Sequence, residues 1–188
     1  MIKIKDYFSE AQWQKFLSAA VEHETPFLLV DLSLIKQKFE EMVMYFPNAK
    51  IHYAMKANPG VPVINLLRDL GSNFDCASIF ELDRVFDSGV TPDRVSYGNT
   101  IKKAAHIKYA YDKGVRLYAT DSKADIQKIA ENAPGSRVFV RILVEGGDTA
   151  EWPLSRKFGC HPDMAIDLLV NAKKLGLEPY GISFHVGS

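Results

Sequence analysis

From residue 51 onward the chain repeats one pattern: a short apolar run closing on a polar residue, a turn, then apolar positions at helical spacing. That alternation predicts strands separated by amphipathic helices. The predicted strands are Ile51–Lys56, Asn73–Ala77, Val95–Gly98, Leu117–Thr120, Arg137–Val144 and Gly181–Val186. The helices between them are predicted at Val61–Leu70, Phe80–Ser88, Ala104–Lys113, Ala124–Asn132 and, after a longer loop, Pro162–Leu175. Gly71, Gly89, Gly114 and Gly176 each fall just past such a helix, where a left-handed cap residue is wanted. The early units recur every ~20–25 residues, the length of a βα unit, which favours an all-parallel sheet with right-handed crossovers. Ahead of the repeat, Ser9 is placed to cap a helix Glu10–Val21 with Trp13, Phe16, Leu17 and Ala20 at helical spacing. His23-Glu-Thr-Pro26 breaks it, and Phe27–Leu32 reads as a buried strand. Ser33 is then expected to cap a second helix carrying Leu34, Ile35, Phe39, Met42 and Val43, which Pro47-Asn48 ends.

Alternating βα units fit either an open doubly wound sheet or a closed (β/α)8 barrel. No Gly-x-Gly-x-x-Gly follows the first strand, which disfavours the dinucleotide-binding open sheet. A barrel gathers its chemistry at the C-terminal ends of many strands. Those ends carry Lys56, Asp75, Asn99, Asp121, Arg141 and His185, and this concentration of ionisable types favours the barrel. Strands must end in polar loops in any soluble fold, so part of the signal is solubility alone. Six strands are predicted where a barrel needs eight. The expectation is therefore an incomplete barrel domain over residues 1–188, about six of eight βα units, with the remaining strands and a C-terminal β domain outside this chain.

Composition narrows the class. The chain has 188 residues, 47% hydrophobic, with 23 basic and 23 acidic side chains. That suits one globular domain and gives no electrostatic case for nucleic acid or an anionic membrane. No apolar run reaches transmembrane length, and Met1-Ile-Lys-Ile-Lys-Asp lacks the layout of a secretory signal. Cys76 and Cys160 have no metal-type spacing and read as reduced thiols in a cytoplasmic protein.

The chemistry centres on Lys56. A lysine closing a buried strand is costly unless it is paired or chemically used. Its amine can form a Schiff base with a carbonyl, although position alone also allows it to snorkel into solvent. Arg141 lies in an apolar strand and demands an anionic partner, either Glu81 or a bound anion. Asp75 and Glu81 have rival readings as a solvated strand end and a helix-first-turn acid. The loop after the fifth strand, with Gly146-Gly147 as a hinge and Lys157 near its end, is long enough to be functional.

Tyr53-Ala-Met-Lys-Ala-Asn58 resembles the cofactor-lysine motif of pyridoxal-phosphate enzymes with an alanine-racemase-type barrel. Phe74-Asp-Cys-Ala-Ser78 with Glu81, Tyr97-Gly-Asn99, Val140-Arg-Ile142, Ser155-Arg-Lys-Phe-Gly159 and Ser183-Phe-His-Val-Gly-Ser188 follow in the order of the basic amino-acid decarboxylases, most like the ornithine decarboxylases. Racemases of this barrel usually continue Lys-Ala-Asn with Ala-Tyr-Gly, whereas this chain continues Pro59-Gly60. The resemblance implies pyridoxal 5'-phosphate held covalently by Lys56, with His185 stacked on its ring. It further implies that Asp75, Glu81, Arg141 and Ser188 bind the cofactor, Ser188 through its phosphate. The implied activity is decarboxylation of a small basic amino acid, ornithine to putrescine in polyamine biosynthesis, by a homodimer in which Lys157 pairs across subunits. Residues that complete the site lie beyond residue 188 in such a family, so this chain alone is expected to bind cofactor weakly and turn over little. Lysine, diaminopimelate or arginine are the alternative substrates. A non-catalytic homologue of the antizyme-inhibitor kind is the alternative role, and a barrel without the cofactor, its Lys56 a surface residue, is the third. Cys76 adjoins Asp75, yet it reads as a small packing residue and not a nucleophile.

Overall fold

The computed structural model describes residues 8–144 and 157–185. Its elements run α1 (Glu10–Val21), α2 (Leu32–Tyr45), β1 (His52–Ala54), α3 (Val61–Asp69), β2 (Asn73–Cys76), α4 (Ile79–Asp87), β3 (Val95–Tyr97), α5 (Ala104–Asp112), β4 (Leu117–Thr120), α6 (Lys123–Asn132), β5 (Arg137–Arg141), α7 (Pro162–Lys174) and β6 (Glu178–Ser183). The six strands form one sheet in the order β1-β2-β3-β4-β5-β6, every pairing parallel. Each new strand joins the same growing edge. An open doubly wound sheet reverses its order at a switch point; this one does not, and the order is that of a (β/α)8 barrel with six of its units present.

Local sequence explains where the helices begin and end. The Ser78 and Ser122 hydroxyls each accept a 3.3 Å hydrogen bond from the backbone three residues on, at Glu81 and Asp125. Ser9 and Gln12 form a reciprocal capping box at the start of α1. Gly71, Gly89, Gly114 and Gly176 all take the positive φ expected of them, between 79° and 97°. The core lies between the outer face of the sheet and α3–α7. There Phe74, Tyr118, Val138 and Val140 meet Ile64, Leu82, Ile107, Ile126, Ile129 and Leu168, all of them fully buried. Because strand side chains alternate, burying Phe74 and Cys76 outward turns Asp75 into the barrel interior.

Three expectations need correction. Residues 27–30 form no strand, Leu32 already belongs to α2, and the α2 cap is Asp31, whose Oδ1 accepts from Ser33 N (2.8 Å) and Leu34 N (3.4 Å). Strand-forming side chains do not make a strand without a neighbouring ladder, and no strand of the sheet lies beside this segment. β1 stops at Ala54, because Ala57 N turns back to donate to Ala54 O (3.0 Å), so Lys56 sits in the turn and not on the strand. β6 starts earlier than its apolar run, where Glu178 N donates to Ser136 O (3.0 Å), and its register slips between Val138 and Phe139.

Candidate active site

The inward face of the sheet lines a cavity of about 800 Å³ that runs from Lys50 and Leu117 at the strand starts to Arg141 and His185 at the strand ends, with His52, Asp75, Ser96 and Ser183 between them. Asp75 is its centre. Its carboxylate accepts a 2.7 Å hydrogen bond from the Ser96 hydroxyl. Burial pushes its pKa above the ordinary carboxylate value, while the Ser96 hydrogen bond and then the charges of Lys56 and Arg141 oppose that rise and Glu81 adds to it. Lys56, Glu81, Arg141 and Asp75 thus share one electrostatic neighbourhood although they come from three different βα units.

Lys56 follows β1 by two residues and is exposed. The backbone beside it is tied to β2, since Met55 N donates to Asp75 O (3.0 Å), and Ala54 pairs in register with Asp75. Of the two readings of Lys56, the structure takes the solvent-facing one, with its charge still acting on Asp75. Arg141 is the last residue of β5, half-buried, its guanidinium 5.5 Å from the centre of the Phe158 ring. Glu81 does not pair with it. The Glu81 carboxylate instead accepts from Ala77 N at 2.5 Å, closing the start of α4, so its helix-cap reading is realised as well. His185, two residues past β6, is exposed at the same cavity. Ser188, Gly146-Gly147 and Ser155-Arg156 lie outside the described residues. Lys157 lies within them, exposed, its ammonium 5.8 Å from the centre of the Phe158 ring.

The remaining strand ends divide between support and site. Asp121 accepts from Gly159 N (3.0 Å), which fastens the end of the loop after β5 over β4. The Asn99 side chain donates to Ala77 O (3.4 Å) and ties β3 to β2. Cys76 is fully buried, its thiol pKa driven up by burial first and by Glu81 and Asp75 after that, so it packs and does not react. Cys160 is buried as well, bridged to Ile142.

Sequence reasoning passed over three features. Ser96 and His52 face Asp75 from inside the barrel, and their period-2 alignment with Gly98 and Ala54 was the available signal. Gly98 is held to glycine by space: a Cβ there would lie 2.1 Å from Asp75 Oδ1. Lys102, whose side chain has no exposed surface, donates to Ala119 O (2.6 Å), Asp125 Oδ2 (2.7 Å) and Asn99 O (2.8 Å). Nothing in its polar surroundings announced that burial.

An exposed amine beside a carboxylate, with a guanidinium and an imidazole on one parallel-strand cavity, is a donor set that fits an aldehyde cofactor bearing a phosphate and an aromatic ring. Residues 32–188 match the family described as "Pyridoxal-dependent decarboxylase, pyridoxal binding domain". The chain belongs to this family, and its cofactor is pyridoxal 5'-phosphate. It is 41% identical over 165 residues to ornithine decarboxylase of Saccharomyces cerevisiae, an alignment covering 88% of this chain and 35% of that protein. It is 35% identical over 167 residues to antizyme inhibitor 2 of Xenopus laevis, covering 89% and 36%. Lysine decarboxylase from Selenomonas ruminantium superposes with a TM-score of 0.84 at 38% identity, over 96% of this chain and 46% of that structure. The chain thus spans a little over a third of the two curated relatives' lengths.

Proposed function

We propose that the protein catalyses pyridoxal-phosphate-dependent decarboxylation of a small basic amino acid, L-ornithine to putrescine, as a cytoplasmic homodimer serving polyamine synthesis. The observation that supports it is the convergence of Asp75, Arg141 and His185 on one cavity of the parallel sheet, with Lys56 close enough for its charge to act on Asp75. When bound, pyridoxal phosphate supplies a carbonyl for an amine and an electron-withdrawing ring that takes up the charge left by departing CO₂. Lys56, solvent-reachable and next to a carboxylate, is the residue to hold it. Asp75 and Glu81 place carboxylates in the electrostatic neighbourhood of Lys56. Arg141 and the Ser188 hydroxyl would serve the cofactor's anionic groups, and the flat His185 imidazole would shield its ring from water.

Steady-state CO₂ release by the full-length protein on ornithine, lysine, diaminopimelate and arginine tests the reading. The highest kcat/KM on ornithine is expected. Preference for one of the other three replaces the substrate, and partner binding without any turnover replaces the enzyme with a regulatory homologue, the role that the likeness to antizyme inhibitor 2 supports.

A further inference from the structure

The Ser96 hydroxyl is buried, 3% exposed, and has one proton to give. Three acceptors stand near it: Asp75 Oδ1 at 2.7 Å, Phe74 O at 3.4 Å and His52 Nδ1 at 3.4 Å. The shortest is also the only anion, so the proton points to Asp75. The Ser96 oxygen is then left to accept, and His52 can meet it only with a proton on Nδ1. The same ring also hydrogen-bonds the Phe74 backbone. A chain of donors therefore runs from His52 on β1 through Ser96 on β3 to Asp75 on β2, inside the barrel. Gly98 leaves the space into which the carboxylate is aimed.

We propose that His52 and Ser96 are a positioning pair: His52 donates into the Ser96 oxygen, which commits the hydroxyl proton to Asp75 and fixes that carboxylate, ionised, beside Lys56. The need for such a device follows from what faces Asp75. Burial and Glu81 of α4 favour its neutral form; Ser96, Lys56 of the turn after β1 and Arg141 of β5 favour the charged one, and Lys50 adds a positive charge near His52. Of the three favouring groups, only the hydroxyl is fixed by a short hydrogen bond from a buried strand. This inference rests on the proposed place of Asp75 beside the cofactor lysine.

Its test is the titration of the Asp75 carboxyl carbon by ¹³C NMR in the cofactor-free protein, the resonance being identified by its loss in Asp75→Asn. Ser96→Ala moves the midpoint upward by about one pH unit, the size of one hydrogen bond to a charged group. Ser96→Thr, which keeps the hydroxyl, restores it, and His52→Phe moves it in the same direction by less. A wild-type midpoint in Ser96→Ala overturns the pair. If that variant does not fold, His52→Phe decides, and an unmoved midpoint there overturns it equally. The reading of the site fails separately: if Asp75→Asn leaves pyridoxal phosphate affinity unchanged while the midpoints move as stated, the pair stands and Asp75 leaves the cofactor site.

Discussion

The turn after β1 and the loop after β3 each carry a lysine a few residues past a strand, and the fold treats them oppositely. Lys56 is exposed, while the Lys102 side chain is sealed from solvent among two carbonyl oxygens and the Asp125 carboxylate. The apolar run leading into Lys56 raised the question of a buried lysine there, and the buried one is Lys102. Burial of a cation is decided by acceptors converging from other units, here Ala119 of β4 and Asp125 of α6, and the run that precedes it has no say. The two Ser-x-x-acid caps differ in the same way. Glu81 spends its carboxylate on its own helix start, whereas Asp125 reaches back to the preceding unit and also holds Lys128 Nζ at 3.3 Å from Oδ1.

The largest expected effect breaks or confirms that contrast directly. Lys102→Met leaves Asp125 buried with one cation fewer and is expected to cost about 3–5 kcal/mol of stability in urea unfolding. Lys56→Ala is expected to change stability by no more than about 0.5 kcal/mol, as an exposed substitution does. Equal costs would erase the distinction. Adding Asp125→Leu to Lys102→Met should recover much of the loss, since replacing a whole buried pair with apolar groups is far cheaper than orphaning half of it.

Next in size is Gly98→Ala. The new Cβ would stand 2.1 Å from Asp75 Oδ1, so the carboxylate must leave Ser96. A loss of about 1–3 kcal/mol is expected, and Asp75→Ala in the same chain should relieve it. If Gly98→Ala is neutral alone, Asp75 is not packed where this account has it.

The smallest effect is a pH dependence. Because burial raises the Asp75 pKa above 3.8, its contribution to stability is present below that value and is lost as pH rises through its folded value. Asp75→Asn carries no such loss, so it should gain on wild type as pH increases over that window. Unfolding curves whose difference stays constant with pH would contradict this.

Most of the architecture was legible because it is written locally: period-2 runs, Ser caps and glycines with positive φ recur in each unit, and the strands fell within a few residues of their predicted places. What was missed depends on chain distant in sequence. Phe27, Leu28, Leu29 and Val30 have strand-forming side chains, yet they stay partly or largely exposed with no ladder beside them. Neither α1 nor α2 buries a single residue completely, in contrast to α3–α7. Among the candidate site residues, Lys56, Asp75, Arg141 and His185 stand out in the sequence as strand-end ionisable residues and Glu81 as a helix-first-turn acid. Ser96, His52 and Gly98 escaped because only their placement around Asp75 gives them meaning. Glu81 was expected to answer Arg141, but its three-residue offset from Ser78 had already committed it to the helix start.

The claim on which the rest depends is that Lys56 is the cofactor's tether. Incubating the protein with rising concentrations of pyridoxal phosphate, reducing with borohydride and mapping the modified peptides by mass spectrometry tests it directly. The account predicts label on Lys56 at the lowest cofactor concentrations, and its loss in Lys56→Arg. Label spread evenly over exposed lysines such as Lys36, Lys38 and Lys108, with Lys56 no faster than they are, would contradict it.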